Sequence, residues 1–185
     1  METENNPRLK GLVLVNTGSG KGKTTAALGT ALRAFGNGQK VLIFQFIKGS
    51  WKYGELEAIR RLGEGIEIRQ MGDGFVRYNQ DATEKTIAIH KKKAETAWQQ
   101  LQEEVQSDRW DLIVLDEINY AIYFGLLDSN KVVELIEHRP QRLNLILTGR
   151  YAPQEIIERA DTVTEMTLVK HAFQKGIRAR CGIEY

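Results

Sequence analysis

Apolar positions along the chain follow two alternating rhythms. Short apolar runs rich in β-branched residues, such as VLIFQF at 41–46 and LIVL at 112–115, have the pattern of strands covered on both faces. Between them, apolar residues recur every three or four positions, as on one face of a helix. This reading predicts strands at 12–16, 41–46, 66–70, 112–115, 143–147 and 163–168, and helices at 23–35, 53–62, 82–106, 131–137 and 153–159. The longest helix carries Ile87, Ala94, Trp98, Leu101 and Val105 on one stripe, which puts Trp98 in the core. Glycines at 36, 38, 63, 65, 72 and 74 punctuate the crossovers. Strands alternating with helices throughout predict an α/β fold: a three-layer sandwich around a mostly parallel sheet of about six strands. The expected division is a flexible segment at 1–10 and a single domain at 11–185.

Composition narrows the class. The chain has 185 residues, 42% of them hydrophobic and 27% charged, ordinary values for a globular domain with its own core. The apolar runs are far shorter than the ~20 residues of a membrane helix, so no membrane partner is expected. The 26 basic and 24 acidic residues nearly cancel and are interspersed, which argues against nucleic acid as a partner. Lys91, Lys92 and Lys93 are read as a solvated helix face. Residues 1–10 lack the apolar core of a secretory signal, and one cysteine, Cys181, cannot form an internal disulfide. A cytoplasmic location is the expectation, with Cys181 a buried or incidental thiol. His90, His138 and His171 show no metal-ligand spacing. Trp51 and Trp110 are open between core, interface and ligand contact.

The strongest chemical signal is TGSGKGKTT at 17–25, between a predicted buried strand and an alanine-rich helix. Glycines at 18, 20 and 22 let backbone N–H groups converge on phosphate oxygens, and the helix adds its positive N-terminal dipole. In such a Walker-A loop Lys23 reaches the β- and γ-phosphates and the Thr24 hydroxyl helps hold Mg2+. Thr17 stands where the full pattern has its first glycine, and Gly18 and Gly20 are expected to supply the missing freedom. The run LIVLDE at 112–117 ends in Asp116 and Glu117, at the strand edge where open α/β sheets bind ligands. One direct carboxylate suffices for Mg2+ bound to phosphates. These parts alone fit kinases, ATPases, GTPases and ligases equally.

Further blocks restrict the choice. GSGKGKTTAA at 18–27, VLIFQFIKG at 41–49, LDEINY at 115–120, LTGR at 147–150, ADTVTEM at 160–166, KHAF at 170–173 and the ending GIEY at 182–185 occur in the order found in the P-loop corrinoid adenosyltransferases. The chain resembles that family from about residue 12 to its end. QFIKG at 45–49 and TGR at 148–150 make the likeness specific, since the phosphate loop alone is widely shared.

The resemblance implies a RecA-like P-loop nucleotide-binding domain. It implies transfer of the 5′-deoxyadenosyl group of ATP to the Co(I) centre of a cobalamin or cobyrinic acid derivative, with release of triphosphate. Matching positions make Gly18, Ser19, Gly20, Lys21, Gly22, Lys23, Thr24 and Thr25 the ATP site. Lys23, Thr24 and Glu117 carry the chemistry, Thr24 and Glu117 contact Mg2+ or Mn2+, and Asp116 stands behind them. Phe75 matches the first of two aromatics that pack under the corrin ring in the family. The second position holds Arg77, with Tyr78 beside it. The resemblance also implies a homodimer and a reductase or flavodoxin-type electron donor. Some relatives carry a longer N-terminal helix over the site, so the short segment here raises the question of how the site is closed.

Overall fold

A computed structural model describes residues 10–48, 53–72 and 84–184, the side chains of 84–86 excepted. Its elements, in chain order, are β1 (Val13–Thr17), α1 (Lys23–Gly36), β2 (Val41–Gln45), α2 (Gly54–Leu62), β3 (Ile66–Gln70), α3 (Glu84–Gln106), β4 (Leu112–Asp116), α4 (Ile118–Tyr123), α5 (Ser129–His138), β5 (Asn144–Thr148), α6 (Gln154–Ile157) and β6 (Thr162–Glu165). A 3-10 turn follows at Ala172–Lys175. Among the described residues the sheet has six strands in the order β3-β2-β4-β5-β1-β6, and every pairing is parallel.

Side-chain alternation divides the core into two faces. Leu42, Phe44, Ile113, Leu115, Leu145 and Leu147 pack with Trp98, Leu101 and Val105 of α3 and with α4 to α6. Val41, Ile43, Leu112, Val114 and Ile146 face the other way, onto Ala27 and Ala31 of α1 and Ile59 of α2. Strands buried on both faces need apolar residues at successive positions. The three-layer sandwich read from the sequence is therefore the fold observed.

Elements that rest on weaker local signals differ from expectation. β6 is four residues long with all four exposed, and Leu168 and Val169 continue beyond it on the surface. The extension to 168 fails because only one neighbour, β1, pairs this edge strand. Helix α6 spans only Gln154–Ile157. Helix α4 was not expected: its run INYAIY lies one residue after a strand and reads as an extension of it. Helix α5 begins at Ser129, where the Asp128 side chain accepts a hydrogen bond from the Asn130 N–H at 2.9 Å, an N-cap interaction. Trp110 is core, its indole N–H donating to Glu104 at 2.7 Å. Cys181 is exposed, not buried. Lys91, Lys92 and Lys93 are exposed as expected. Trp51 and residues 1–9 lie outside the described residues.

The topology positions the site. From β1 the chain passes to α1 on one face, and from β4 and β5 it passes to α4, α5 and α6 on the other. A crevice thus opens at the carboxyl ends of the central strands, the usual ligand position in a doubly wound sheet. Register completes the arrangement: Gln45 of β2 pairs with Asp116 of β4, and Leu115 pairs with Leu147, one residue before Thr148. Three polar strand endings therefore meet at one level.

Candidate active site

The loop between β1 and α1 is shaped by contacts that only glycine permits. Gly18 has φ +93°, and a Cβ there would lie 2.5 Å from the Met166 carbonyl oxygen. At Gly20 the same oxygen would be 2.7 Å from a Cβ, and it accepts the Gly20 N–H at 2.6 Å. The segment after β6 thus clamps the loop from outside, assisted by Met166 N–H to Thr17 O at 2.9 Å. Thr17 remains in the extended strand, where no positive φ is required. Its hydroxyl accepts the Ala152 N–H at 3.2 Å, so a threonine at this position serves the fold.

Lys23, buried at the start of α1, bridges the loop by donating to Gly18 O at 2.9 Å and Gly20 O at 2.6 Å. Burial lowers its pKa and Arg150 adds to that effect, while the nearby Glu117 opposes it. Asp116, fully buried, is saturated with partners. Its Oδ1 accepts from Thr24 at 2.8 Å and Thr148 at 2.7 Å, and its Oδ2 accepts from Gln45 Nε2 at 3.0 Å. Lys48 Nζ stands 3.7 Å from Oδ2.

Glu117 is different. It has φ +63°, and its N–H is tied to Thr148 Oγ1 at 2.9 Å. Its carboxyl accepts no hydrogen bond from the described residues. Burial, reinforced by the charge of Asp116, pushes that carboxyl up to about 7, against the pull of Lys23, Lys48 and Arg150. A carboxylate held in this way is poised to gain from an added cation. The donor set it forms with the Thr24 hydroxyl is all oxygen, as Mg2+ or Mn2+ favours. The residues present fit such an ion.

Lys23, Thr24, Lys48 and Glu117 line an open cleft of about 710 Å³, together with Tyr53, Tyr120, Arg150 and the C-terminal residues Gly182, Ile183 and Glu184. Glu184 reaches Lys21 at 3.1 Å, so the chain end forms one wall of the cleft beside the phosphate loop. The family model described as ATP:corrinoid adenosyltransferase BtuR/CobO/CobP matches residues 9–185. The chain belongs to that family. Among curated corrinoid adenosyltransferases, that of Pseudomonas aeruginosa is 43% identical over 176 residues, spanning 95% of this chain and 84% of its own. That of Escherichia coli K12 is 40% identical, spanning 95% and 86%. The Salmonella typhimurium relative is 39% identical with the same coverage. A KaiC-like protein from Pyrococcus horikoshii aligns over 88% of this chain and 75% of its own, with 18% identity and a TM-score of 0.47, and contributes nothing to the assignment.

In this corrinoid adenosyltransferase family member, the positions read from the sequence divide into three groups. Gly20, Lys21, Gly22, Lys23, Thr24, Thr25 and Glu117 all line the cleft. Gly18 lies beneath Lys23 as an acceptor, Ser19 is exposed, and Asp116 is enclosed behind Thr24. Phe75 and Arg77 fall outside the described residues. Sequence reasoning assigned no role to Gln45, Thr148, Lys48, Arg150 or Glu184. For Gln45 and Thr148 the available signal was positional: a polar residue closing an apolar run, VLIF before Gln45 and LIL before Thr148, marks the ligand edge of a parallel sheet.

Proposed function

We propose that the cleft binds ATP with its triphosphate on the loop at 18–25 and transfers the 5′-deoxyadenosyl group to a reduced corrinoid, forming an adenosylcorrinoid in the adenosylcobalamin pathway. The observation that carries this reading is the convergence of the loop, Thr24 and Glu117 on one cleft in a chain matched to the family along nearly all its length. In the reaction, the Co(I) electron pair forms a bond to C5′ of ATP. The C5′–O5′ bond breaks, its electron pair stays on O5′, and inorganic triphosphate departs.

The protein needs no nucleophile of its own. Its task is to orient the triphosphate and to stabilise charge that grows on the leaving oxygen. Lys23 exchanges the Gly18 and Gly20 carbonyls for phosphate oxygens, and the loop N–H groups other than that of Gly20, which Met166 holds, join the α1 N-terminus around the same anion. Thr24 and Glu117 would hold Mg2+ or Mn2+. That ion, when bound, neutralises phosphate charge as a Lewis acid. Asp116 fixes the Thr24 hydroxyl. Phe75 and Arg77 are proposed as the corrinoid contacts. In support, the chain that carries them leaves Gly72, which borders a small cavity shared with Tyr120, and Tyr120 also lines the nucleotide cleft. A homodimer, a reductase or flavodoxin-type electron donor and a cytoplasmic setting complete the proposal. No helix among the described residues is long and apolar enough to cross a membrane.

The test is an anaerobic assay with Mg-ATP and chemically reduced corrinoid. A light-sensitive adenosylated product and stoichiometric inorganic triphosphate are expected. Formation of ADP and orthophosphate with no alkylated corrinoid would overturn the assignment.

A further inference from the structure

Lys48 lines the nucleotide cleft with Lys21 and Lys23 but lies outside the phosphate loop, three residues beyond the end of β2. Its side chain is only 12% exposed. The ammonium donates to Glu55 Oε1 at 2.7 Å and lies 4.5 Å from the centre of the Tyr53 ring, a cation–π distance. Asp116 Oδ2, at 3.7 Å, is a charge partner beyond hydrogen-bonding range and already receives Gln45. The three donors of an ammonium are therefore not exhausted by its neighbours. Glu55 lies in the first turn of α2 and Tyr53 is its N-cap, so Lys48 is held toward the cleft by the start of α2, independently of the phosphate loop.

The proposed reaction builds negative charge at that end of the substrate. Displacement at C5′ expels an intact triphosphate, which gains a full unit of negative charge as the bond breaks. Lys23 belongs to the loop and meets the chain of phosphates from that side alone. We infer that Lys48 is a second catalytic cation that binds the triphosphate from the β2–α2 side of the cleft, with Glu55 and the Tyr53 ring holding it in place until the phosphates arrive. The inference rests on the leaving-group chemistry proposed above. Binding trades the Glu55 contact, wholly or in part, for a phosphate oxygen.

The alternative is that Lys48 only ties Glu55 to Asp116, and Glu55→Gln separates the two. The probe is inorganic tripolyphosphate binding to the full-length protein by calorimetry, paired with single-turnover rates from ATP and chemically prepared Co(I)-corrinoid. Lys48→Met is expected to weaken tripolyphosphate binding and to slow alkyl transfer, each by about ten- to a hundredfold, the loss typical of a charge-assisted hydrogen bond. Lys48→Arg is expected to recover part of both. Glu55→Gln, which removes the competing carboxylate and keeps the cation, is expected to bind tripolyphosphate at least as tightly as the unmodified protein. Unchanged binding in Lys48→Met, or a loss in Glu55→Gln as large as that in Lys48→Met, overturns the inference. Should circular dichroism show Lys48→Met to be unfolded, Glu55→Gln decides alone: tripolyphosphate binding as tight as in the unmodified protein, or tighter, upholds the inference, and weaker binding overturns it. Failure of the underlying function looks different, because the unmodified protein would then yield no inorganic triphosphate.

Discussion

Thr148 makes the adjacent carboxylates of Asp116 and Glu117 unequal. Its hydroxyl donates to Asp116 and accepts the Glu117 N–H, so one side chain locks the buried carboxylate and anchors the backbone of the half-buried one. Thr148→Val keeps the shape and removes both bonds. It leaves a buried carboxylate short of a donor, a loss of roughly 1 to 3 kcal/mol, and frees Glu117 to reorient. A lower urea midpoint together with weaker Mg-ATP binding is the expected outcome, measured on the same preparations. At Lys23 the reasoning differs, because its present partners are carbonyls of its own loop. Lys23→Ala is expected to lose transferase activity while retaining fold, with circular dichroism as the check on the latter.

At the scale of elements, the end of α3 is tied to its surroundings through one carboxylate. Glu104 accepts from Trp110 Nε1 at 2.7 Å, Arg69 Nη1 at 2.7 Å and Arg109 Nη2 at 2.6 Å, joining α3 to β3 and to the segment entering β4. Burial alone would raise its pKa, but the hydrogen bonds from Trp110, Arg69 and Arg109 outweigh it, and the folded value lies below the ordinary glutamate value. A depressed folded pKa means that the unfolded chain takes up the proton first as pH falls. The stabilisation is therefore complete above the ordinary carboxylate range and is lost as pH drops through the folded value. Urea denaturation at a series of pH values should show Glu104→Gln less stable than the unmodified protein at neutral pH, with the gap closing in acid. A gap independent of pH would mean that the carboxylate's charge plays no part.

The molecule as a whole shares one sheet between two apolar layers, and the nucleotide cleft lies at the end of that sheet, next to both. Ligand binding should therefore stabilise the whole fold. ATP at about a hundred times its dissociation constant adds about 2.7 kcal/mol, which for a chain of this length raises Tm by roughly 5 to 10 °C. Thermal melts with and without Mg-ATP should show that rise, and Lys23→Ala should abolish it. Glu184, whose carboxylate meets Lys21 from the chain end, is a surface partner, and Glu184→Ala should leave the ATP-free melting temperature unchanged within error.

By itself the sequence determined the alternation of strands and helices, the assignment of Trp98 to the core, and the phosphate loop with its two following carboxylates. Each of these is written in local pattern: a short continuous apolar run, a period of three to four, or a glycine spacing that phosphate geometry requires. Its edges were less legible, since α4, the short β6 and the length of α6 depend on which neighbours are available to pair or pack. Only the tertiary structure decided which carboxylate is saturated and which faces the cleft. Strand register brings Gln45, Asp116 and Thr148 to one level from segments far apart in the chain, and no local rule reports that distance. The same holds for Lys48 and for the chain end beside the loop, whose roles arise from proximity created by folding.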